Sequence, residues 1–180
     1  MLVNIVVLLV WFPGLKKIIL NWLGLNISGD SKLGLSLYLT TDITMLQGSS
    51  IGHFNYIKCS RIKLGKNAGI GHLNYMKGSY FIEMEEASNI GNQNIVKNNY
   101  TKNDPETCEL SIGHNSKITS AHYLDMSASV VLGSNTVLGG RSSFLWTHGF
   151  VHFNEGLTRL VKIEPIVFKS GVYIWLLLNL

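Results

Sequence analysis

An apolar residue recurs every six positions along most of this chain, and that spacing limits the available folds more than any other feature. Three segments align directly: IGHFNYIKC from Ile51, IGHLNYMKG from Ile70 and IGNQNIVKN from Ile90. Extending the rule yields the triplets Ile27, Leu33, Leu39; Met45, Ile51, Ile57; Leu64, Ile70, Met76; Met84, Ile90, Val96; Ile112, Ile118, Leu124; and Leu132, Leu138, Phe144. Every one of these residues is apolar. A six-residue period matches neither an amphipathic helix nor a half-buried alternating strand. It predicts a solenoid whose turn holds three short strands and three corners in about 18 residues. Each rung points inward and stacks on its equivalents one coil above and below. A buried Ile or Leu contributes roughly 1.5–3 kcal/mol, and a single coil cannot bury its own face, so the coils need one another.

Other columns follow the same period. Glycine often comes after a rung, as at Gly34, Gly52, Gly71 and Gly91, and is expected to supply backbone freedom at the corners. Four residues after the first member of each triplet the side chain is always small: Ser31, Ser49, Ala68, Ser88, Ser116 and Thr136. Asn55, Asn74 and Asn94 share one position, continued by His122 and Ser142, and predict a stacked polar ladder. His53 and His72 stack two positions earlier. This architecture explains the composition: charged residues are 14% of the chain, against ~25% in an ordinary soluble domain. Such a chain is neither high-charge disorder nor a coiled coil, and two cysteines in 180 residues make no disulfide scaffold. Cys59 and Cys108 read as reduced thiols of a cytoplasmic protein. The net charge of +4 weakly favours anionic ligands, with no basic stripe that would bind nucleic acid.

Residues 1–26 form a separate amphipathic segment. Leu2 to Phe12 is almost wholly apolar but about half the ~20 residues that cross a bilayer. No basic residue precedes it and no clean cleavage site follows, which argues against a secretory signal. Pro13 and Gly14 break the run, and Leu15 to Leu25 reads as a short helix across the end of the domain. A second reading of residues 1–25 is peripheral membrane contact, with Trp11, Trp22, Lys16 and Lys17 at the interface.

The repeat is interrupted twice, by an insertion at 97–111 and by a polar excursion at 145–165 that begins Leu145-Trp146-Thr147-His148 and carries Glu155 and Arg159. It resumes in Pro165-Ile166-Val167-Phe168 and Val172-Tyr173-Ile174. The pattern [Ile/Leu/Val]-Gly-x-x-[Ser/Thr/Ala/Val]-x over residues 27 to 174 resembles the hexapeptide repeat of left-handed parallel β-helix acyltransferases. That resemblance implies an all-β, left-handed parallel β-helix of about six to seven coils over 27–180, after a short N-terminal helical segment. The Thr147-His148 segment resembles the catalytic region of maltose/galactoside and surface-polysaccharide O-acetyltransferases, and places His148 on their catalytic histidine. The family's reaction is direct acetyl transfer from acetyl-CoA to a sugar hydroxyl, with histidine as general base and neither cysteine in a motif for covalent catalysis. The cell-level expectation is surface-polysaccharide synthesis on the cytoplasmic side, at the inner face of the membrane if residues 1–25 touch it.

The same resemblance implies a homotrimer with sites between coils of neighbouring subunits. His122 takes the position where related enzymes often carry an Asn, and is read either as a second catalytic donor or as the end of the ladder. Arg141 and Lys169 are candidates for the coenzyme A phosphates. Trp146, Glu155 and Arg159 are candidates for the acceptor. No metal is expected in this reading. Two alternatives stand beside it. One is a zinc-dependent β-helix enzyme of the carbonic anhydrase type using His53, His72 and His114, which have no characteristic ligand spacing. The other is a catalytically inactive or structural β-helix, because the chain ends in Trp175-Leu176-Leu177-Leu178-Asn179-Leu180 where the family continues with further coils.

Overall fold

The computed structural model describes residues 13–40, 42–98, 108–152 and 159–176. They form a parallel β-helix. Sheet one has seven parallel strands, from Asn26–Ile27 to Ile166–Phe168. Sheet two also has seven, from Lys32–Leu33 to Tyr173–Leu176. Sheet three has six, from Leu37–Tyr38 to Phe144–Leu145. Six complete coils and two strands of a seventh are therefore present among the described residues. The six-residue spacing generates this directly, because the triplet members fall in sheets one, two and three in turn. Ile51, Ile57, Leu64, Met76, Ile90, Val96, Ile118, Leu124 and Leu138 are all at most 1% exposed and build a thin continuous core.

Two rungs sit one residue away from their expected places. The first coil turns between sheets two and three one residue short: Leu33 pairs with Ile51, but Tyr38 pairs with Ile57. Tyr38 is therefore buried and Leu39 exposed. In the sixth coil a bulge adds a residue between Leu138 and Arg141, where Gly140 has φ +78°. Leu145 then aligns with Leu124 and faces the core, while Phe144 turns outward. The same slip places Ser143, rather than Ser142, at the end of the polar ladder.

The glycines act differently from expectation. Left-handed backbone at the corners is carried mostly by other residues: Asn67, Ala87, Asn115 and Asn135 between sheets one and two, and Phe54, Leu73, Gln93, Ala121 and Ser142 between sheets two and three. Gly52 and Gly71 instead make room for the next coil. A Cβ on Gly52 would lie 2.5 Å from the carbonyl oxygen of Gly71, and one on Gly71 would lie 2.6 Å from that of Gly91. The small column behaves as expected, with Ser49, Ala68, Ser88 and Thr136 at 0% exposure.

The helix Pro13–Trp22 closes the first coil. Pro13 occupies the first helical position, where a missing N–H is tolerated, and Gly24, at φ +93°, ends the turn. Leu20 is fully buried. Asn21 brackets the edge of sheet one, donating from Nδ2 to the Ile27 carbonyl (2.9 Å) and accepting the Ile27 N–H (2.8 Å). The outer side keeps Leu15, Ile18 and Trp22 exposed. No described helix is long and apolar enough to cross a membrane.

Candidate active site

The coil leaves its regular path after Leu145. Residues His148–His152 pair with Arg159–Ile163 as an antiparallel hairpin at the corner between sheets three and one. The chain rejoins sheet one at Ile166, where the Glu164 N–H donates to the Thr147 carbonyl (2.9 Å) and closes the base of the arm.

A fully buried carboxylate organises that base. Asp125 Oδ2 lies 2.7 Å from His148 Nδ1 and accepts the Thr147 hydroxyl at 2.8 Å. Its Oδ1 accepts the Ser127 hydroxyl at 2.9 Å. The Thr147 hydroxyl in turn accepts the Ala128 N–H at 3.0 Å. Burial alone pushes the Asp125 carboxyl up, but the hydrogen bonds from His148, Thr147 and Ser127 outweigh this and hold it below its ordinary value. An anionic carboxylate at Nδ1 keeps the proton on that nitrogen and the lone pair on Nε2, the arrangement of a base oriented by an acid. The His148 side chain is 11% exposed. Trp146 and Phe150 meet its ring edge-on, with centroids at 5.6 and 5.9 Å. Tyr123 lies 5.1 Å from Trp146. The candidate base thus sits among aromatic surfaces at the edge of a rigid sheet.

Among the residues expected to act here, His148 and Trp146 come together. His122 belongs to the ladder. It is 1% exposed; its Nδ1 accepts the Ser143 N–H (3.3 Å), so Nε2 carries the proton and faces the Thr119 hydroxyl at 2.7 Å. Both ring nitrogens are thereby engaged inside the coil, which leaves the ring no donor for a substrate and favours the ladder reading of this residue. Burial lowers its pKa, favouring the neutral ring. Below it, Asn94 Oδ1 accepts the His122 N–H and Asn74 Oδ1 accepts the Asn94 N–H, so the column runs as the spacing predicted.

Arg141 and Lys169 do not converge with His148 within one chain. Arg141 ends a sheet-two strand at the corner toward sheet three, beside a cavity of about 400 Å³ lined by Asn92, Gln93, Thr119 and Ser120. Lys169 follows sheet one at the corner toward sheet two. The three residues occupy three different corners of the prism. Arg159 starts the return strand of the hairpin, and Glu155 lies outside the described residues, as does Trp11. His53 and His72 stack with ring centroids 5.5 Å apart, and each Nδ1 accepts a backbone N–H from the preceding coil. His114 sits at another corner, and no group of three metal-ligating side chains is present among the described residues. Burial pushes the Cys59 thiol up to about 12, so it is no nucleophile at neutral pH.

Asp125, Ser127 and the bonding role of Thr147 escaped the sequence reading. One signal was there. Lys58, Lys77, Lys97 and Asp125 share a column, and Asp125 breaks the run of lysines. Comparison with protein-family models, curated proteins and solved structures yields no match for this chain.

Proposed function

We propose that the protein is an O-acetyltransferase that moves an acetyl group from acetyl-CoA to a sugar hydroxyl, with His148 as general base and Asp125 as its positioning partner. The observation that carries this reading is the 2.7 Å contact between His148 Nδ1 and a fully buried carboxylate at the excursion from the coil. An alcohol is a weak nucleophile near neutral pH, and the thioester donor supplies the electrophile. His148 Nε2 takes the hydroxyl proton as the new C–O bond forms and the C–S bond breaks, then returns it to the thiolate. Asp125 stabilises the imidazolium formed between these events. Ser127 and Thr147 hold the carboxylate so that the ring does not rotate. Trp146, with Tyr123 beside it, offers a flat apolar surface suited to a sugar face.

Arg141 supplies a cation at an open cavity, suited to a phosphate of the donor. Its corner is remote from His148 in one chain, so the proposal includes a homotrimer in which a neighbouring copy brings such a corner to the base. The setting is surface-polysaccharide synthesis on the cytoplasmic side. The exposed Leu15, Ile18 and Trp22 with Lys17 support contact with the inner membrane face. The test is thiol release from acetyl-CoA in the presence of sugar acceptors. Acceptor-dependent release that falls by roughly 10²–10⁴ in His148→Ala supports the reading. Release unchanged by that substitution, or absent from the wild type, overturns it.

A further inference from the structure

The outer face of sheet three carries two columns that run along the helix axis into the candidate active site. The first is Leu37, Tyr56, Tyr75, Ile95, Tyr123 and Phe144, aligned strand to strand by the sheet register. Tyr56 and Tyr75 stack with centroids 4.9 Å apart, and Tyr123 and Phe144 stack at 5.9 Å. The second column lies two residues further along each strand. It holds Lys58, Lys77 and Lys97, and then reaches Asp125 beneath His148. None of the three lysines enters an ion pair among the described residues. A basic stripe is therefore present after all, hidden in the sequence because its members are a whole coil apart.

We infer that this face is a binding track for an anionic glycan chain, and that such a chain is the acceptor of the reaction proposed above. Rungs about 4.8 Å apart set the period of the track, and six of them span about 24 Å. That period is close to the rise per sugar in an extended polysaccharide, so successive rings meet successive aromatic or aliphatic rungs. Carboxylates or phosphates along one edge of the chain meet the lysine row. The track ends where Tyr123 touches Trp146 and Trp146 touches His148, so a chain lying along it delivers a hydroxyl to the base. Charge selects this occupant over a second copy of the protein packed face to face, which would set lysine row against lysine row, since among the described residues the one acid of these columns, Asp125, is buried and engaged by His148 and Thr147.

The test measures binding by titration calorimetry, with His148→Ala as the receptor so that turnover plays no part. The probes are oligogalacturonates of increasing length, neutral galactan oligomers and single-stranded oligothymidylate. The expected result is preference for the oligogalacturonates, affinity that rises to about the hexamer and then levels, and weakening by salt. Lys58→Gln/Lys77→Gln/Lys97→Gln should weaken binding by roughly tenfold. Tyr75→Ala should weaken it by roughly two- to tenfold. Both variants must keep the parent's thermal midpoint for the comparison to count. Equal binding of neutral and acidic oligomers, tighter binding of the oligothymidylate, or no binding overturns the track. So does a native mass that falls to the monomer in Tyr56→Asp/Tyr75→Asp, which would place the face in a subunit contact. Transfer to a monosaccharide by the wild type is scored separately. If transfer proceeds while the oligomers fail to bind, the track is wrong and the reading of His148 stands.

Discussion

Replacing Asn74 by Ala should cost the β-helix a large share of its stability. Asn74 is 1% exposed and sits in the middle of the polar ladder. Its Nδ2 donates to Asn55 Oδ1 at 3.0 Å and to the Gly91 carbonyl at 2.9 Å, and its Oδ1 accepts the Asn94 N–H at 2.8 Å. Truncation orphans the Asn94 N–H, at about 1–3 kcal/mol for a buried donor, and removes two further bonds at about 0.5–1.5 kcal/mol each. The expected loss is about 4 kcal/mol, out of a total that is ~5–15 kcal/mol for a typical domain. Asn74→Asp should cost at least as much. It keeps the shape but turns a second acceptor oxygen toward Asn55 Oδ1 and the Gly91 carbonyl. Urea denaturation followed by circular dichroism measures both changes, with an unchanged slope required. Lys77→Ala, an exposed change at the end of the strand that follows Asn74, is the control and should stay within about 0.5 kcal/mol. A loss below about 1 kcal/mol for Asn74→Ala, or an Asp variant as stable as the control, would refute the ladder as a source of stability.

The two shifted groups weaken stability on acidification in two separate pH windows. Asp125 is held below its ordinary value, so its contribution is full above about pH 3.9 and lost as pH falls further toward its folded value; Asp125→Asn should flatten that limb in a denaturation series. Burial lowers the pKa of His122, so the unfolded chain takes up that proton first and stability declines as pH falls below about 6.5. His122→Asn should extend the Asn column, keep the fold and remove this decline. Gly71→Ala should destabilise by roughly 1–3 kcal/mol, because its Cβ meets Asn92 Oδ1 at 2.3 Å and the Gly91 carbonyl at 2.6 Å. Gly149→Ala, with nothing within 4 Å, should be near neutral, as equilibrium melts would show.

The architecture was legible because a rung that is buried on every coil must be apolar on every coil, so the period is written directly in the residues. The two register slips were not, since a shortened corner or a bulge at Gly140 shows no break in an apolar run such as Leu37-Tyr38-Leu39 or Phe144-Leu145. The glycines were correctly placed but wrongly explained. Their cause is the carbonyl of the next coil, which only the stacked structure reveals. His148 stood out because it lies where the repeat stops. Asp125 did not, because its partners His148 and Thr147 lie more than twenty residues away, and a carboxylate after a rung reads as a surface group. Arg141 and Lys169 illustrate the converse: the linear sequence does not show that each turns a different corner from His148.

In the proposed reaction His148, oriented by Asp125, takes a proton from a sugar hydroxyl. The most direct measurement is the steady-state rate of acetyl transfer in wild type, His148→Ala and Asp125→Asn, each shown to be folded. Both substitutions should lower kcat, by roughly 10²–10⁴ for the loss of the base, with acetyl-CoA affinity retained. Wild-type turnover in all three proteins would contradict this role of His148.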